Sequence, residues 1–555
     1  MAETFNDFFH KVIQDLCDVL SRTVSPFSPT QFLNETNSSF SFTPITVEAV
    51  TEHLTKLNVK KATGLDSIDN RLLKTGAQVL APSLTNLLNK SLTSGEFPEK
   101  WKTAEVMPIH KKGDRTMLSN YRPVSILSSI SKILERVVHN QLYGYLNQNR
   151  LLSQCQSGFR KLHSCETALH SVTEDWIDSI DKKQQTGVIF CDLSRAFDTL
   201  NHDILLDKLK AYGVDEMACS WFKSYLTGRL QRTCVNSILS NTSCVTCGVP
   251  QGSILGPLLF IVYINDLPNC VQSCRVAMYA DDTIVYFSHR SIQTIQETLQ
   301  NDCTRLMHWF VANKLSLNPL KCKSMLVGSH KSKATDQQLQ LILDDTELEQ
   351  VGTFKYLGVV IDKALLWNDH FLHVNKKLSQ IIGIMKCLRP YLNRQALLTI
   401  YTSLFLPHIQ YCSTVWDQGG KGAIDKLQRL QYRAGRVILG CDHYTSRETV
   451  LNLLGWTPVA QHHRRAKAVF MFKALNGMFP PHISHLFTTS ADTHSHHTRH
   501  STQGGLQLPR TRLQYKKKSL SFSGAALWNS LPAHLRTASS ISTFKTIYTT
   551  EYHMI

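Results

Sequence analysis

Tyr279-Ala280-Asp281-Asp282 decides how this chain is read. Two apolar, β-branched-rich runs flank it, Val276 to Met278 and Thr283 to Phe287, so the four residues fall at the tip of a predicted hairpin. Adjacent carboxylates repel one another unless a cation neutralises them. Magnesium does this with few protein ligands, because it keeps waters and takes substrate phosphates to complete its octahedron. A hairpin tip is poorly desolvated, so both acids are expected to stay ionised. The tip is therefore a candidate metal platform for phosphoryl transfer. Asp also favours turns for its own local hydrogen bonding, so the pair taken alone also reads as plain turn chemistry.

Working outward, a second acid stands at the end of an apolar strand. Gly187 to Cys191 leads into Asp192 within Phe190-Cys191-Asp192-Leu193-Ser194-Arg195-Ala196-Phe197-Asp198. A strand end is rigid, which is what a metal site needs. With this strand beside the hairpin, Asp192 and Asp281 could bridge two magnesium ions that activate an attacking 3′ hydroxyl and neutralise a leaving pyrophosphate. The other reading of Asp192 is a helix N-cap. The residues after it are predicted helical, with Phe197, Leu200, Leu205 and Leu209 inward and Gly213 as the stop. Between the acids lies Gly248-Val249-Pro250-Gln251-Gly252-Ser253. Its glycines allow a close backbone approach to a flat ligand, and Gln251 offers a donor and an acceptor. It also reads as a Gly/Pro loop before a core helix.

Further out, residues 1–20 form a predicted amphipathic helix, followed to about residue 45 by a Ser/Thr/Pro/Asn-rich linker. Val47, Val50, Leu54 and Leu57 repeat at helical spacing, as do the apolar residues of 131–147 and those from Ala168 to Ile180. A helix is expected after the hairpin through about 313, strands at 324–327 and 354–361, and mostly helix from 370 to 475. No internal repeat is present. The order predicts an α+β catalytic unit with a helical C-terminal extension.

Composition sets the partner class. The chain has 555 residues, more than one core accommodates, and 42% are hydrophobic, which excludes a largely disordered chain. Lys plus Arg number 60 against 43 Asp plus Glu, a formal charge of +17, and the pI is near 9.2. Such a balance points to a polyanion, nucleic acid first. The 15 Cys are odd in number and scattered. The first residues lack a basic and then apolar leader, so free thiols in a reducing compartment, nucleus or cytoplasm, are expected. The longest apolar run, Ile254 to Ile264, is too short to cross a bilayer, so no membrane partner is expected.

The three blocks, in this order, closely resemble the catalytic core of reverse transcriptases, and more narrowly those of LINE-type (non-LTR, jockey-like) retrotransposons. Supporting blocks are similar on both sides: Asn120-Tyr121-Arg122-Pro123-Val124-Ser125-Ile126-Leu127 with Lys132 and Glu135, Gln156-Ser157-Gly158-Phe159-Arg160, Asn318-Pro319-Leu320-Lys321-Cys322, and Phe354-Lys355-Tyr356-Leu357-Gly358. The resemblance is strong over about residues 45–375.

It implies a right-hand polymerase with a helical C-terminal extension. The N-terminal helix and linker would occupy 1–45, an extension and the fingers 46–185, the palm 186–365, the thumb and helical region 366–480, and a basic region 481–555. The polymerase core would run from 105 to 362. The activity implied is RNA-directed DNA polymerase, using an RNA template, a DNA primer, dNTPs and two magnesium ions, with manganese as a substitute.

The resemblance also assigns roles. Asp192 and Asp281 are the principal metal ligands, Asp282 supports them, and the Leu193 carbonyl adds a ligand. Phe197 stands where the family places an aromatic gate against a 2′ hydroxyl. Gln251 and Gly252 line the pocket of the templating pair and incoming nucleotide. Lys111 and Arg122 clamp the triphosphate, and Lys321 protonates pyrophosphate. Each basic residue also reads as a solvated surface charge. His110 departs from the family's Pro and is expected to loosen the approach to Lys111.

Other signals are weaker. Cys244-x-x-Cys247 lacks a second ligand pair for zinc. His494, His496, His497 and His500 fall in a polar stretch, 487–505, that reads as a loop. Arg510, Arg512, Lys516, Lys517 and Lys518 with Tyr515 read either as a nucleic-acid contact or as a solvated charge run. LINE-type elements usually carry an endonuclease before the polymerase. The residues ahead of the fingers are too few for one, so a separate endonuclease and a truncated element copy or incomplete gene model are expected. The competing reading is a degenerate or host-adopted copy that binds RNA without catalysis. Intact Asp192, Asp281 and Asp282 favour the enzyme. An intron maturase or telomerase fits less well with the Gly-Phe-Arg and Tyr-Leu-Gly contexts.

Overall fold

The structure is a computed structural model that describes residues 1–34, 36–330, 337–489 and 504–552. Its centre is an antiparallel sheet of four strands, in the order Arg275–Tyr279, Asp282–His289, Gln185–Cys191 and Lys323–Val327. Strand side chains alternate between faces, and here both faces are covered. Ile189 and Cys191 join Met278, Val285 and Leu326 in one core, whereas Val188 and Phe190 join Ile284, Tyr286, Met325 and Val327 in another. That is why residues 187–191 read as a continuous apolar run rather than an alternating one.

Helices Ser129–Gln148, His202–Ala211, Glu216–Leu226, Gly256–Tyr263 and Ile292–Ala312 contribute to the first core. Helices Cys165–Asp181, Asn368–Leu388 and Lys421–Leu439 contribute to the second.

A second sheet of five strands carries the basic blocks. Thr103–His110 pairs antiparallel with Tyr121–Ile126 and parallel with Arg229–Val235, on which Ile238–Leu239 and Ser243–Val245 also lie. The N-terminal helix Ala2–Arg22 packs Phe5 and Phe9 against Val106 of this sheet. Asn6 Nδ2 donates to Ser243 Oγ at 2.7 Å.

The C-terminal part has its own core, which includes Phe470, Phe472, Trp528 and Phe544. It is held to helix Cys165–Asp181 by carboxylates. Glu174 accepts from the Leu520 N–H at 2.6 Å, Asp181 from the Leu513 N–H at 2.6 Å, and Lys516 pairs with both Glu174 and Asp178. Lys516 fits neither reading of this basic run, nucleic-acid contact or solvated charge. Lys516 is buried in those ion pairs, and the Tyr515 hydroxyl meets His330 Nδ1 at 2.5 Å.

Most expected elements are present, with one correction. The helix after Asp192 begins only at His202, capped by Asn201, whose side chain accepts from the Ile204 N–H at 3.0 Å. Phe197 and Leu200 lie in the preceding turn. Their carbonyls are taken by the N–H groups of Val249 (2.9 Å) and Gly248 (2.7 Å), so they do not serve a helix. The 354–361 block is a hairpin of Thr353–Tyr356 and Val359–Asp362. It turns through Leu357 and Gly358 with φ of 44° and 82°, the left-handed pair that a two-residue hairpin of this kind requires. His494, His496, His497 and His500 lie outside the described residues. Among the described residues no helix is long and apolar enough to cross a membrane.

Candidate active site

The hairpin tip forms as expected. Tyr279 pairs with Asp282, leaving Ala280 and Asp281 as a two-residue turn with Ala280 at φ 56°. Gln156 fixes this turn from beneath. Its Oε1 accepts from the N–H groups of Ala280 (2.9 Å) and Gly158 (2.6 Å), and its Nε2 donates to the Ala280 carbonyl at 3.3 Å. A Cβ on Gly158 would lie 2.2 Å from the Ala280 nitrogen, so the Gln156-Ser157-Gly158 block is the bed of the acid turn.

Strands Gln185–Cys191 and Asp282–His289 pair in register up to Cys191 opposite Thr283. Asp192 therefore leaves the sheet beside Asp282, one position beyond the last pair, where facing Cβ atoms are about 5 Å apart. The strand end is laced to the 316–322 segment. The Asp192 carbonyl accepts from the Asn318 N–H at 2.8 Å, the Asp192 N–H donates to Cys322 Sγ at 3.3 Å, and Leu193 bridges Leu317. This brings Lys321 Nζ within 3.3 Å of Asp192 Oδ2.

The acids lie near the surface, Asp282 exposed and Asp281 half-buried, yet their surroundings shift both. Burial raises Asp281, and the charge of Asp192 adds to this while Arg122 and Lys111 oppose it. Burial also raises Asp282, and the charges of Asp281 and Asp192 help push it up to about 6. Asp282 still meets solvent on one side, but the packed sheet and two like charges surround it on the other. Among the described residues no three His, Cys, Asp or Glu side chains close around a point as a ready-made metal cage. The donor set is nonetheless all carboxylate oxygen, which suits magnesium or manganese rather than a thiolate-loving ion. The repulsion lifting Asp282 is what a divalent cation relieves.

Arg122, Arg195 and Lys321 lie within electrostatic reach of Lys111. Arg122 faces Ile109 across the basic hairpin, and the Lys111 N–H continues that pairing to the Asn120 carbonyl at 2.8 Å. Lys111 is lowered by partial burial and then by the charges of Arg122, Arg195 and Lys321. His110 does not loosen this approach. It stays in register with Tyr121, its ring 5.2 Å from the tyrosine ring.

Phe197 is half-buried, stacked on Phe260 at 4.3 Å and edge-on to Phe159 at 6.1 Å. Gln251 Nε2 donates to Asp198 Oδ1 at 2.6 Å, and its carbonyl accepts from the Ser125 N–H at 2.7 Å. The glycines of this loop do make close approaches, but to the chain's own backbone rather than to an open ligand space. A Cβ on Gly252 (φ 128°) would lie 2.4 Å from the Ser125 carbonyl oxygen, and one on Gly248 (φ 77°) 2.4 Å from that of Asp198. Buried Glu135 completes the loop's support by accepting from the N–H groups of Ile254 (2.6 Å) and Leu255 (3.3 Å). Sequence reasoning missed Asp198 and Arg195. A carboxylate set between Phe197 and Thr199-Leu200, just before a helix, was the available signal.

Residues 109–361 match the family described as reverse transcriptase (RNA-dependent DNA polymerase). This stretch contains Lys111, Arg122, Asp192, Asp281, Asp282 and Lys321. The chain carries a reverse transcriptase domain of the non-LTR, jockey-like kind. It is similar to the probable RNA-directed DNA polymerase from transposon BS of Drosophila melanogaster, 31% identical over 433 residues, or 74% of this chain and 46% of that protein. It is also similar to the RNA-directed DNA polymerase from mobile element jockey of the same species, 29% identical over 73% of this chain and 45% of the relative. The probable RNA-directed DNA polymerase from transposon X-element is 27% identical over 78% of this chain and 47% of its own length. The chain thus spans about half the length of the curated relatives it matches. The acid hairpin lies within the matched residues.

Proposed function

We propose that this chain is an RNA-directed DNA polymerase that extends a DNA 3′ end along an RNA template with dNTPs. One observation carries the reading. Asp192 and the Asp281-Asp282 turn leave adjacent strands at one sheet end, in electrostatic reach of Lys111 and Arg122, inside the matched domain.

In this reading the four-stranded sheet is the centre of the palm (186–365). The strands Thr103–His110 and Tyr121–Ile126 belong to the fingers (46–185) and pair with Arg229–Val235 from the 186–365 segment, and the helices from residue 366 to 480 are the thumb. The terminal pieces are 1–45 and 481–555. A primer end made by a separate endonuclease and an intracellular site of action fit the reading.

Asp192, Asp281 and Asp282, with the Leu193 carbonyl, would hold two magnesium ions, or manganese. When bound, the ions would supply charge neutralisation at the triphosphate and activation of the primer hydroxyl. The chain's own residues do the rest. Lys111 and Arg122 hold the triphosphate by charge-assisted hydrogen bonds, Arg122 being the better fork. Phe197, fixed by Phe260, excludes a 2′ hydroxyl. Gln251 and Gly252 shape the pocket of the incoming nucleotide. Lys321, beside Asp192, delivers a proton to the departing pyrophosphate. Most of the rate comes from positioning and fixed charge.

Asp281→Ala tests the reading. Primer extension on an RNA template should vanish while RNA binding persists. Equal extension by variant and parent would defeat the mechanism, and a parent that binds RNA but never extends would favour the non-catalytic copy.

A further inference from the structure

The strongest unassigned group near the site is Asp198. It is buried in the turn 195–200, which joins the acid strand to helix His202–Ala211. A buried carboxylate is costly unless it is hydrogen-bonded. Its short bond is from Gln251 Nε2 at 2.6 Å, and Arg195 stands 3.9 Å away.

The backbone around it is zipped to the Gly248–Gln251 loop. The Phe197 carbonyl accepts from Val249, the Leu200 carbonyl from Gly248, and the Asp198 carbonyl from Cys247 Sγ at 3.5 Å. No side chain fits at Gly248 without meeting the Asp198 backbone. The turn that aims Phe197 and the loop that aims Gln251 are thus one unit, and the Asp198–Gln251 bond is its side-chain clasp.

We infer that Asp198 is a positioning residue that fixes the Gln251 amide and, through the shared turn, the Phe197 ring against the incoming nucleotide. This rests on the polymerase reading above. Asp198 touches neither substrate nor metal in this scheme. It sets which way the Gln251 amide points, since an acceptor at Oδ1 compels Nε2 to face it and leaves Oε1 turned away.

The test is steady-state incorporation of dNTPs and rNTPs on an RNA template with a DNA primer. Asp198→Ala should raise the KM for dNTP about tenfold or more, as loss of a hydrogen bond to a charged group predicts, and should lower the dNTP preference over rNTP. Asp198→Asn keeps an acceptor of the same shape and should stay within about threefold of the parent. It serves if the alanine variant fails to fold.

Gln251→Glu would set two carboxylates face to face. Adding Asp198→Asn restores a donor and an acceptor, and should recover about tenfold of the lost kcat/KM. A merely structural Asp198 predicts no such reciprocal rescue. The inference is overturned if Asn is as damaging as Ala, or if the double variant shows the product of the two single losses. A parent without RNA-templated extension sinks the polymerase reading and this inference together. An active parent without the coupling sinks the inference alone.

Discussion

Replacing Phe197 by Val separates a gate from a mere core residue. The ring is half-buried, stacked on Phe260 at 4.3 Å with an interplanar angle of 23°, so its place is set by a neighbour that Val does not disturb. Fully burying and then deleting a Phe side chain costs about 3–5 kcal/mol. A half-exposed ring shortened to Val, which keeps part of the contact, should cost about 1–2 kcal/mol, little enough for the domain to remain folded. Forcing an extra group into a filled site costs about 1–3 kcal/mol. If the ring occupies the space a 2′ hydroxyl needs, removing it should lower the dNTP-over-rNTP preference by about 10- to 100-fold, at tenfold per 1.4 kcal/mol. The assay is single-nucleotide primer extension on an RNA template, comparing kcat/KM for a dNTP with that for the matching rNTP in parent and variant. The change should lie mainly in the rNTP values. An unchanged ratio in a folded, active variant refutes the placement of Phe197 under the sugar.

Two further outcomes follow from groups elsewhere. Lys208 is wholly buried, pairs with Asp266 and donates to the Tyr263 carbonyl at 2.7 Å. Lys208→Met strands Asp266 and should cost about 3–5 kcal/mol in urea denaturation, whereas a cost below about 1 kcal/mol would mean the pair is unimportant to stability. Asp282 is raised in the folded protein, so its proton favours folding below the ordinary carboxylate range, and that benefit is lost as pH rises through about 6. Without divalent ions, Asp282→Asn should therefore melt higher than the parent at pH 8, with the advantage shrinking toward pH 4. A lower melting temperature at pH 8 would contradict the repulsion among the three acids.

The blocks around the acids were legible because their residue types are dictated locally. The run 187–191 is apolar because both sheet faces are covered, and Ala280-Asp281 turns where a two-residue hairpin must. What was not legible depends on partners far along the chain. The turn at Phe197 reads as helix until the Gly248–Val249 N–H groups take its carbonyls. The bed of the acid turn is not visible locally, because Gln156 and Gly158 reach Ala280 from more than a hundred residues earlier. The loop glycines suggested an open ligand platform, yet their space is filled by Ser125 and Asp198. The basic run near Tyr515 looked free because nothing local shows Glu174 and Asp178 waiting on another helix. Charge and spacing mark the candidate residues, whereas tertiary hydrogen bonding decides which of them are spent internally.

Helix Cys165–Asp181 has a bearing on inheritance. Glu174 is buried, and its carboxylate is satisfied by Leu520 and Lys516, more than three hundred residues further along the chain. A premature stop codon before Arg512 would leave every polymerase codon untouched. It would also leave that anion naked in an apolar bed, directly behind the strands that carry the acids. A chain can therefore keep its signature motifs and still lose the packing behind them.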